Sequence, residues 1–174
     1  MSIAQANRGT ALEDLVLQAA RGGVGSGIAI THSPARWKPR REGGKVVGAY
    51  PERTNTVDFT GVVMGLPVAF DAKEVTVLNR FDWDNLTEEQ ARFLEGYAAA
   101  GGFAFLLIAW WRHDLLTIAP VNDWLPLWRA ARPRSIPFAD ATQRWRSLTA
   151  REAGDAGCGT LWREIYRLAR SAQQ

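Results

Sequence analysis

Two consecutive apolar runs between residues 57 and 77 constrain the fold of this chain more than any other feature. Both runs are rich in β-branched and aromatic residues, and a Gly-Leu-Pro sequence at 65–67 separates them, which predicts a β-hairpin. Because side chains alternate between the two faces of a strand, we expect Asp71 and Lys73 on one face and Phe70 on the other. The apolar neighbours predict buried central strands, where an unpaired charge is costly and is often functional.

Asp58, Asp71 and Lys73 are the candidate catalytic residues of this hairpin. Two carboxylates at the mouth of one hairpin can hold a hard divalent cation through oxygen ligands. A lysine beside them can orient or activate the water that such a metal polarises. This is the chemistry of metal-dependent phosphodiester hydrolysis. The alternative interpretation is an ordinary ion pair on a strand surface, which contributes little to stability.

The distribution of charge indicates a nucleic-acid surface. The net charge of the 174-residue chain is only +3, yet basic residues concentrate in 34–53 and arginines again in 129–151. Arginine forks match phosphate geometry, and interleaved aromatic rings can stack on exposed bases. The aromatic residues concerned are Trp37, Tyr50, Trp128 and Trp145. The alternative is two solvated faces of a basic protein, with Trp128 and Trp145 packing between helices.

Length and cysteine content bound the class of protein. A chain of 174 residues is long enough for one well-buried core and too short for two ordinary domains. The single cysteine, Cys158, excludes a disulfide framework and a cysteine-based zinc site. Neither a signal-peptide pattern nor an apolar stretch of about 18 residues is present in the sequence. We therefore expect an intracellular, cytoplasmic protein.

The remaining sequence predicts one α/β or α+β domain with a central mixed sheet and a helical C-terminal part. Asn122 or Asp123 is a candidate cap for a short helix that ends near Arg129. Residues 33–56 form a long polar insertion, a type of segment that is usually functional or disordered. The predicted helices are 3–21, 85–100, 140–151 and 160–171, and the further predicted strands are 27–31, 103–111 and 115–119.

The order of motifs resembles that of the PD-(D/E)xK nuclease superfamily, and more narrowly that of the RecU family of Holliday-junction resolvases. Asp58 is followed thirteen residues later by Asp71-Ala72-Lys73, and then by a helix that begins near Thr87 and contains Gln90. The resemblance runs from about residue 7 to 138. Its other motifs are Asn7-Arg8-Gly9, Leu12-Glu13, Gly27-Ile28-Ala29-Ile30 before His32, Asp58-Phe59-Thr60-Gly61, Gly101-Gly102-Phe103 and Ser135-Ile136-Pro137.

The resemblance implies a restriction-endonuclease-like core in a homodimeric, Mg²⁺- or Mn²⁺-dependent endonuclease that cuts four-way DNA junctions symmetrically. It implies Asp58 and Asp71 as metal ligands and Lys73 as the residue that positions or activates water. It also implies Glu13 as a further acidic residue at the site. Gln90 would lie near the metal or the scissile phosphate, although its spacing from Thr87 equally fits a helix cap.

The resemblance further implies that the insertion at 33–56 is a stalk that enters the open centre of the junction. The nuclease domain is then expected over 1–138, with 139–174 as a helical extension of the same domain. The family commonly carries glutamate where this chain has Asp71, so the metal geometry is expected to shift by about one methylene. The expected DNA-binding residues are Arg8, Arg36, Trp37, Lys38, Arg40, Arg41, Lys45 and Arg53.

Two other functions fit the same residues. One is a nuclease of this superfamily that acts on other branched DNA or on unbranched duplex. The other is a non-catalytic protein that binds branched DNA during recombination. The intact set of Asp58, Asp71 and Lys73 favours an enzyme.

Overall fold

A six-stranded mixed β-sheet forms the centre of the molecule. The computed structural model describes residues 10–23, 25–33, 37–51, 57–75, 79–130, 134–155 and 159–172. The strands in these ranges are β1 Ile28–His32, β2 Trp37–Glu42, β3 Lys45–Pro51, β4 Phe59–Val63, β5 Leu66–Val75, β6 Arg80–Asp82, β7 Phe103–Trp110, β8 Leu115–Pro120, β9 Ser135–Pro137 and β10 Arg146–Thr149. The α-helices are α1 Thr10–Gly22, α2 Glu88–Ala99, α3 Val121–Arg129, α4 Phe138–Arg144, α5 Ala150–Gly154 and α6 Thr160–Ala172.

The strand order in the large sheet is β1-β4-β5-β7-β8-β10. The central pair β5 and β7 is parallel, and the other neighbours are antiparallel. Two further pairs, β2 with β3 and β6 with β9, form separate two-stranded sheets. The predicted mixed sheet flanked by helices is therefore confirmed. Within the described ranges, no helix is long and apolar enough to cross a membrane.

Helices cover both faces of the sheet and bury two apolar cores. One core joins α1, α5 and α6 to side chains such as Phe70 and Phe105. The other joins α2, α3 and α4 to Ala69, Leu106 and Ile108 from the same strands. Neighbouring residues of β5 thus point to opposite cores, as the period of two in a strand requires. Asp71 and Lys73 share the face of Ala69.

The hairpin between β4 and β5 turns one residue earlier than the sequence predicted. Met64 and Gly65 occupy the turn with φ values of 48° and 83°, whereas Leu66 and Pro67 already pair with β4. Two consecutive residues with positive φ form the tight turn whose twist matches that of the flanking strands.

The C-terminal part of the chain also differs from the prediction. A continuous helix over 140–151 is wrong, because α4 ends at Arg144 and β10 then pairs with β8 at the edge of the sheet. Edge pairing satisfies the backbone and buries Trp145 and Leu148. The caps predicted for α3 are also wrong. Pro120 is the N-cap residue, and Pro126 lies inside the helix.

Replacing Gly61 with alanine is expected to destabilise the fold by roughly 3 kcal/mol, the upper range for overpacking. A Cβ atom at this position in β4 would lie 2.0 Å from the carbonyl oxygen of Ala29 in β1, and a backbone atom cannot move aside cheaply. The matched control is Gly96→Ala on α2, where the added methyl group meets nothing within 4 Å. Helix propensity makes that change stabilising by about 0.5–1 kcal/mol. Urea unfolding measures both, and equal free energies of unfolding would contradict the close approach.

Candidate active site

The candidate site lies where β4 begins and β5 continues past it. Pairing between the two strands ends at Phe59 opposite Phe70, so the backbone N–H of Ala72 has no partner in β4. Asp58, which immediately precedes β4, fills this position: its Oδ2 accepts a hydrogen bond of 2.9 Å from the backbone N–H of Ala72. The half-buried Asp58 carboxylate is thereby fixed beside Asp71.

Asp71 is fully buried, and each of its two carboxylate oxygens lies next to another side chain of the site. Oδ1 accepts a hydrogen bond of 2.8 Å from Nε2 of Gln90. Oδ2 lies 2.6 Å from Nζ of Lys73, which is 16% exposed. Apart from this ion pair, Oδ2 has no hydrogen-bond partner within the described residues.

Gln90 combines the two functions that the sequence left open. Its backbone N–H donates to Thr87 Oγ1, and its side-chain Oε1 accepts from the Thr87 backbone, which is a complete capping box. The same Oε1 lies 3.3 Å from Lys73 Nζ, while Nε2 binds Asp71. One glutamine therefore starts α2 and holds both charged residues of the site.

Glu13 approaches the site from the first turn of α1. Its Oε2 lies 3.1 Å from His32 Nε2, and the His32 ring contacts that of Phe59. Burial raises the pKa of Glu13, the Asp58 carboxylate adds to this rise, and His32 opposes it. The contact with His32 was not predicted, because it joins side chains from two elements with no sequence motif between them.

Glu74 points away from Asp71, as strand alternation predicts. Its Oε1 accepts a hydrogen bond of 2.8 Å from the backbone N–H of Leu12. This amide lies in the first turn of α1, where backbone N–H groups have no partner within the helix. Glu74 thus fixes the start of the helix that carries Glu13.

Burial is the largest cause of an unusual pKa at Asp71. It raises the pKa of Asp71 from 3.8 to about 7, with Lys73 opposing the rise and the nearby Asp58 carboxylate adding to it. A divalent cation between the two carboxylates would offset both burial and their mutual repulsion. Asp58 and Asp71 are therefore the candidate residues to hold a cation.

The donor set fits a hydrated hard cation better than a closed cage. In the described part of the chain, no group of three or more His, Cys, Asp or Glu side chains is arranged to hold a metal ion. Mg²⁺ usually binds through one or two carboxylates and keeps several waters or substrate oxygens. Asp58 and Asp71, with one oxygen of Asp71 bound only to an ammonium group, satisfy that requirement.

Several predicted DNA-binding residues lie on the β2–β3 hairpin, which turns at two glycines with positive φ. Arg40, Arg41 and Lys45 are exposed there, and Arg40 forms an ion pair of 2.6 Å with Glu42. Arg8, Arg36 and Arg53 lie outside the described residues, as do the side chains of Trp37, Lys38 and Tyr50. Elsewhere, Trp145 is buried and Trp128 half-buried in the core beside α3, which supports the packing interpretation for both.

Metal-free protein is expected to lose stability as the pH rises from about 4 to 7. Asp71 has a pKa of 3.8 when unfolded and about 7 when folded, so the folded state holds an extra proton between these values. The stabilising contribution is complete below pH 4 and lost above pH 7. A shift of this size corresponds to on the order of 4 kcal/mol.

Urea unfolding in EDTA at several pH values measures this effect against Asp71→Asn, which does not titrate. The stability difference between the two proteins should change by the stated amount between pH 4 and 7, and Mg²⁺ should restore stability at pH 7 to the wild type alone. The exposed Asp140→Asn is the control and should follow the wild type. A pH-independent difference between wild type and Asp71→Asn would contradict the burial of a titrating Asp71.

Comparison with known proteins gives a consistent result. A family model described as Recombination protein U matches residues 7–154. The Holliday junction resolvase RecU of Limosilactobacillus reuteri (strain DSM 20016) is 30% identical over 130 residues, which cover 71% of this chain and 64% of that protein. The Holliday junction resolvase RecU of Ligilactobacillus salivarius is 27% identical over 146 residues, which cover 79% of this chain and 68% of that protein. The chain thus spans less than two thirds of the length of the first of these relatives.

A solved structure is also similar: Hjc, a Holliday junction resolvase from Archaeoglobus fulgidus. The two structures superpose with a TM-score of 0.48 at 18% sequence identity, and the match covers 84% of this chain and 99% of the Hjc chain.

Proposed function

Because the chain belongs to the Recombination protein U family, we propose that it is an endonuclease that resolves four-way DNA junctions by metal-dependent phosphodiester hydrolysis. The names of its relatives support the substrate. The observation that carries the proposal is the buried Asp71, held by Lys73 and Gln90 beside Asp58. A buried carboxylate with a raised pKa and a lysine partner is typical of a catalytic site.

In this proposal, Asp58 and Asp71 would hold Mg²⁺ or Mn²⁺, which would supply positive charge to stabilise the negative charge that develops on the scissile phosphate. Lys73 has three N–H donors, of which one is directed at Asp71 and one at Gln90. The third is available to orient the attacking water or a phosphate oxygen. Gln90 contacts both Lys73 and Asp71 and so fixes their relative positions, and Glu13 adds negative charge beside Asp58.

The proposed reaction is an in-line displacement at phosphorus. The water oxygen forms a new bond to phosphorus and the bond from phosphorus to the 3′ oxygen breaks. One proton of the water passes to the 3′ oxygen, which leaves 5′-phosphate and 3′-hydroxyl ends.

Productive resolution of a junction requires one nick in each of two opposed strands. A homodimer with two-fold symmetry supplies two equivalent sites, so we propose that state for the active enzyme, acting on DNA in the cytoplasm. The β2–β3 hairpin is the proposed stalk. Its exposed Arg40, Arg41 and Lys45 suit the negatively charged centre of an open junction.

The proposed division into a nuclease domain, 1–138, and a C-terminal extension, 139–174, remains a prediction. The family match continues to residue 154, and β10 belongs to the main sheet. Both observations favour one continuous domain through α5, with α6 beyond the match.

A labelled four-way junction incubated with the protein and Mg²⁺ or Mn²⁺ tests the proposed function. The expected result is a pair of symmetric nicks that require the metal and are absent from a linear duplex of the same sequence. Equal cutting of the linear duplex would instead indicate a general nuclease. Junction binding without cleavage in any divalent cation would indicate a non-catalytic DNA-binding protein.

A further inference from the structure

The exposed side of α6 consists of arginine. Between Thr160 and Arg170, the exposed residues are Arg163, Arg167 and Arg170. The opposite side of the helix is buried in the core that contains Phe70, through Leu161, Trp162, Ile165 and Ala169. The helix is therefore anchored on the sheet and presents one arginine stripe to its surroundings.

Glu164 adds a fourth arginine to this surface. It is half-buried and binds two guanidinium groups, those of Arg167 at 2.8 Å and of Arg146 from β10 at 3.1 Å. The side chains of Arg163 and Arg170 make no ion pair or hydrogen bond with the described residues. These four residues, Arg146, Arg163, Arg167 and Arg170, are here called the arginine patch. Their four positive charges surround the Glu164 carboxylate, and the Glu152 carboxylate lies near Arg146.

The helix itself accounts for only part of this arginine stripe: Arg167 pairs with Glu164 three residues before it, and Arg170 lies in the last turn, where a positive charge favours the helix dipole. Arg163 and Arg167 are like charges at i and i+4, an arrangement that destabilises an isolated helix by about 0.2–0.5 kcal/mol. A solvated helix face would be equally soluble with glutamate and lysine intermixed. From Arg163 to Arg170 the helix rises about 10 Å, close to the axial rise of three nucleotides in one DNA strand. Guanidinium forks match phosphate oxygens in geometry as well as charge.

We propose that the arginine patch binds the phosphate backbone of a duplex arm that flanks the branch point. This inference rests on the proposed function, since it takes junction DNA as the substrate. The patch lies on the face of the sheet opposite Asp71, because Trp162 of α6 packs against Phe70. It is thus a second DNA contact, separate from the active site and the β2–β3 hairpin, on a helix beyond the family match.

The test compares the full-length wild type with a triple Arg163→Gln, Arg167→Gln, Arg170→Gln variant. Binding to fluorescent junctions with short and long arms is measured in EDTA over a range of salt concentrations. With long arms, the triple variant should bind at least about tenfold more weakly, and its slope of log affinity against log salt should be smaller by roughly 2–3. With short arms, the two proteins should bind alike.

The matched control replaces the same three arginines with lysine, which preserves charge and should keep most of the salt slope. Circular dichroism checks that all variants fold, as expected for exposed positions. Equal affinity and equal salt slope of wild type and the glutamine variant on long arms would overturn the proposal. Because the readout is binding in EDTA, it is separate from the proposed function, which fails instead if the wild type binds junctions but does not cut them.

Discussion

Replacing Asp71 with asparagine is expected to lower the rate of junction cleavage by about a thousandfold or more in saturating Mg²⁺. The change removes one of two proposed metal-binding carboxylates, and a catalytic metal supplies several kcal/mol of transition-state stabilisation. The amide retains an oxygen that can accept the hydrogen bond from Gln90, so the local geometry should survive. Single-turnover cleavage of a labelled junction measures the loss.

Junction affinity of Asp71→Asn should remain within a few-fold of the wild type, because the basic hairpin is unchanged. Asp140→Asn, an exposed aspartate on α4, is the matched control and should cleave normally. Cleavage by Asp71→Asn at the wild-type rate would remove Asp71 from the mechanism.

Replacing Lys73 with methionine is expected to lower cleavage by about a hundredfold or more, a typical contribution for a residue that assists proton transfer or water orientation. Methionine keeps most of the apolar stem but none of the three N–H donors. It also leaves Asp71 buried without its ion pair, which raises the pKa of Asp71 further, since Lys73 lowers it in the wild type. If cleavage requires ionised Asp71, the midpoint of the pH profile of the residual cleavage should therefore lie at a higher pH than in the wild type.

The contrasting variant is Lys45→Met, which removes an exposed lysine from the β2–β3 hairpin. It should weaken junction binding and reduce its salt dependence, while single-turnover cleavage at saturating protein remains unchanged. If Lys73→Met, like Lys45→Met, weakened junction binding without lowering single-turnover cleavage, Lys73 would be a DNA contact and not part of the chemistry.

Most of the site residues were predictable because their signals are local in sequence. The alternation around Asp71 and Lys73 follows from the period of a strand, and the capping-box spacing of Thr87 and Gln90 follows from helix geometry. The resemblance to the RecU family, drawn from motifs between residues 7 and 138, is confirmed by the family match. The catalytic roles themselves await the experiments above.

Other features had no local signal. The helix predicted over 140–151 is wrong at residues 146–149, which form β10. Their conformation comes from pairing with β8, a contact that no local sequence pattern shows. The sequence also did not show that the arginines of 129–151 lie in two different parts of the molecule. Arg129 pairs with Glu95 on α2, whereas Arg146 joins the patch on α6 through Glu164.

The sequence by itself determined the strands β1, β4, β5, β7 and β8, the helices α1, α2 and α6, and the two carboxylates and the lysine as candidates, since each depends on patterns over a few residues. Only the tertiary structure decided how these groups meet. Asp58 binds the amide of Ala72 across 14 residues, Gln90 reaches Asp71 across 19, and Glu74 holds the first turn of α1 across 62. These contacts depend on strand register and on where helices begin against the sheet, which packing of the whole core specifies.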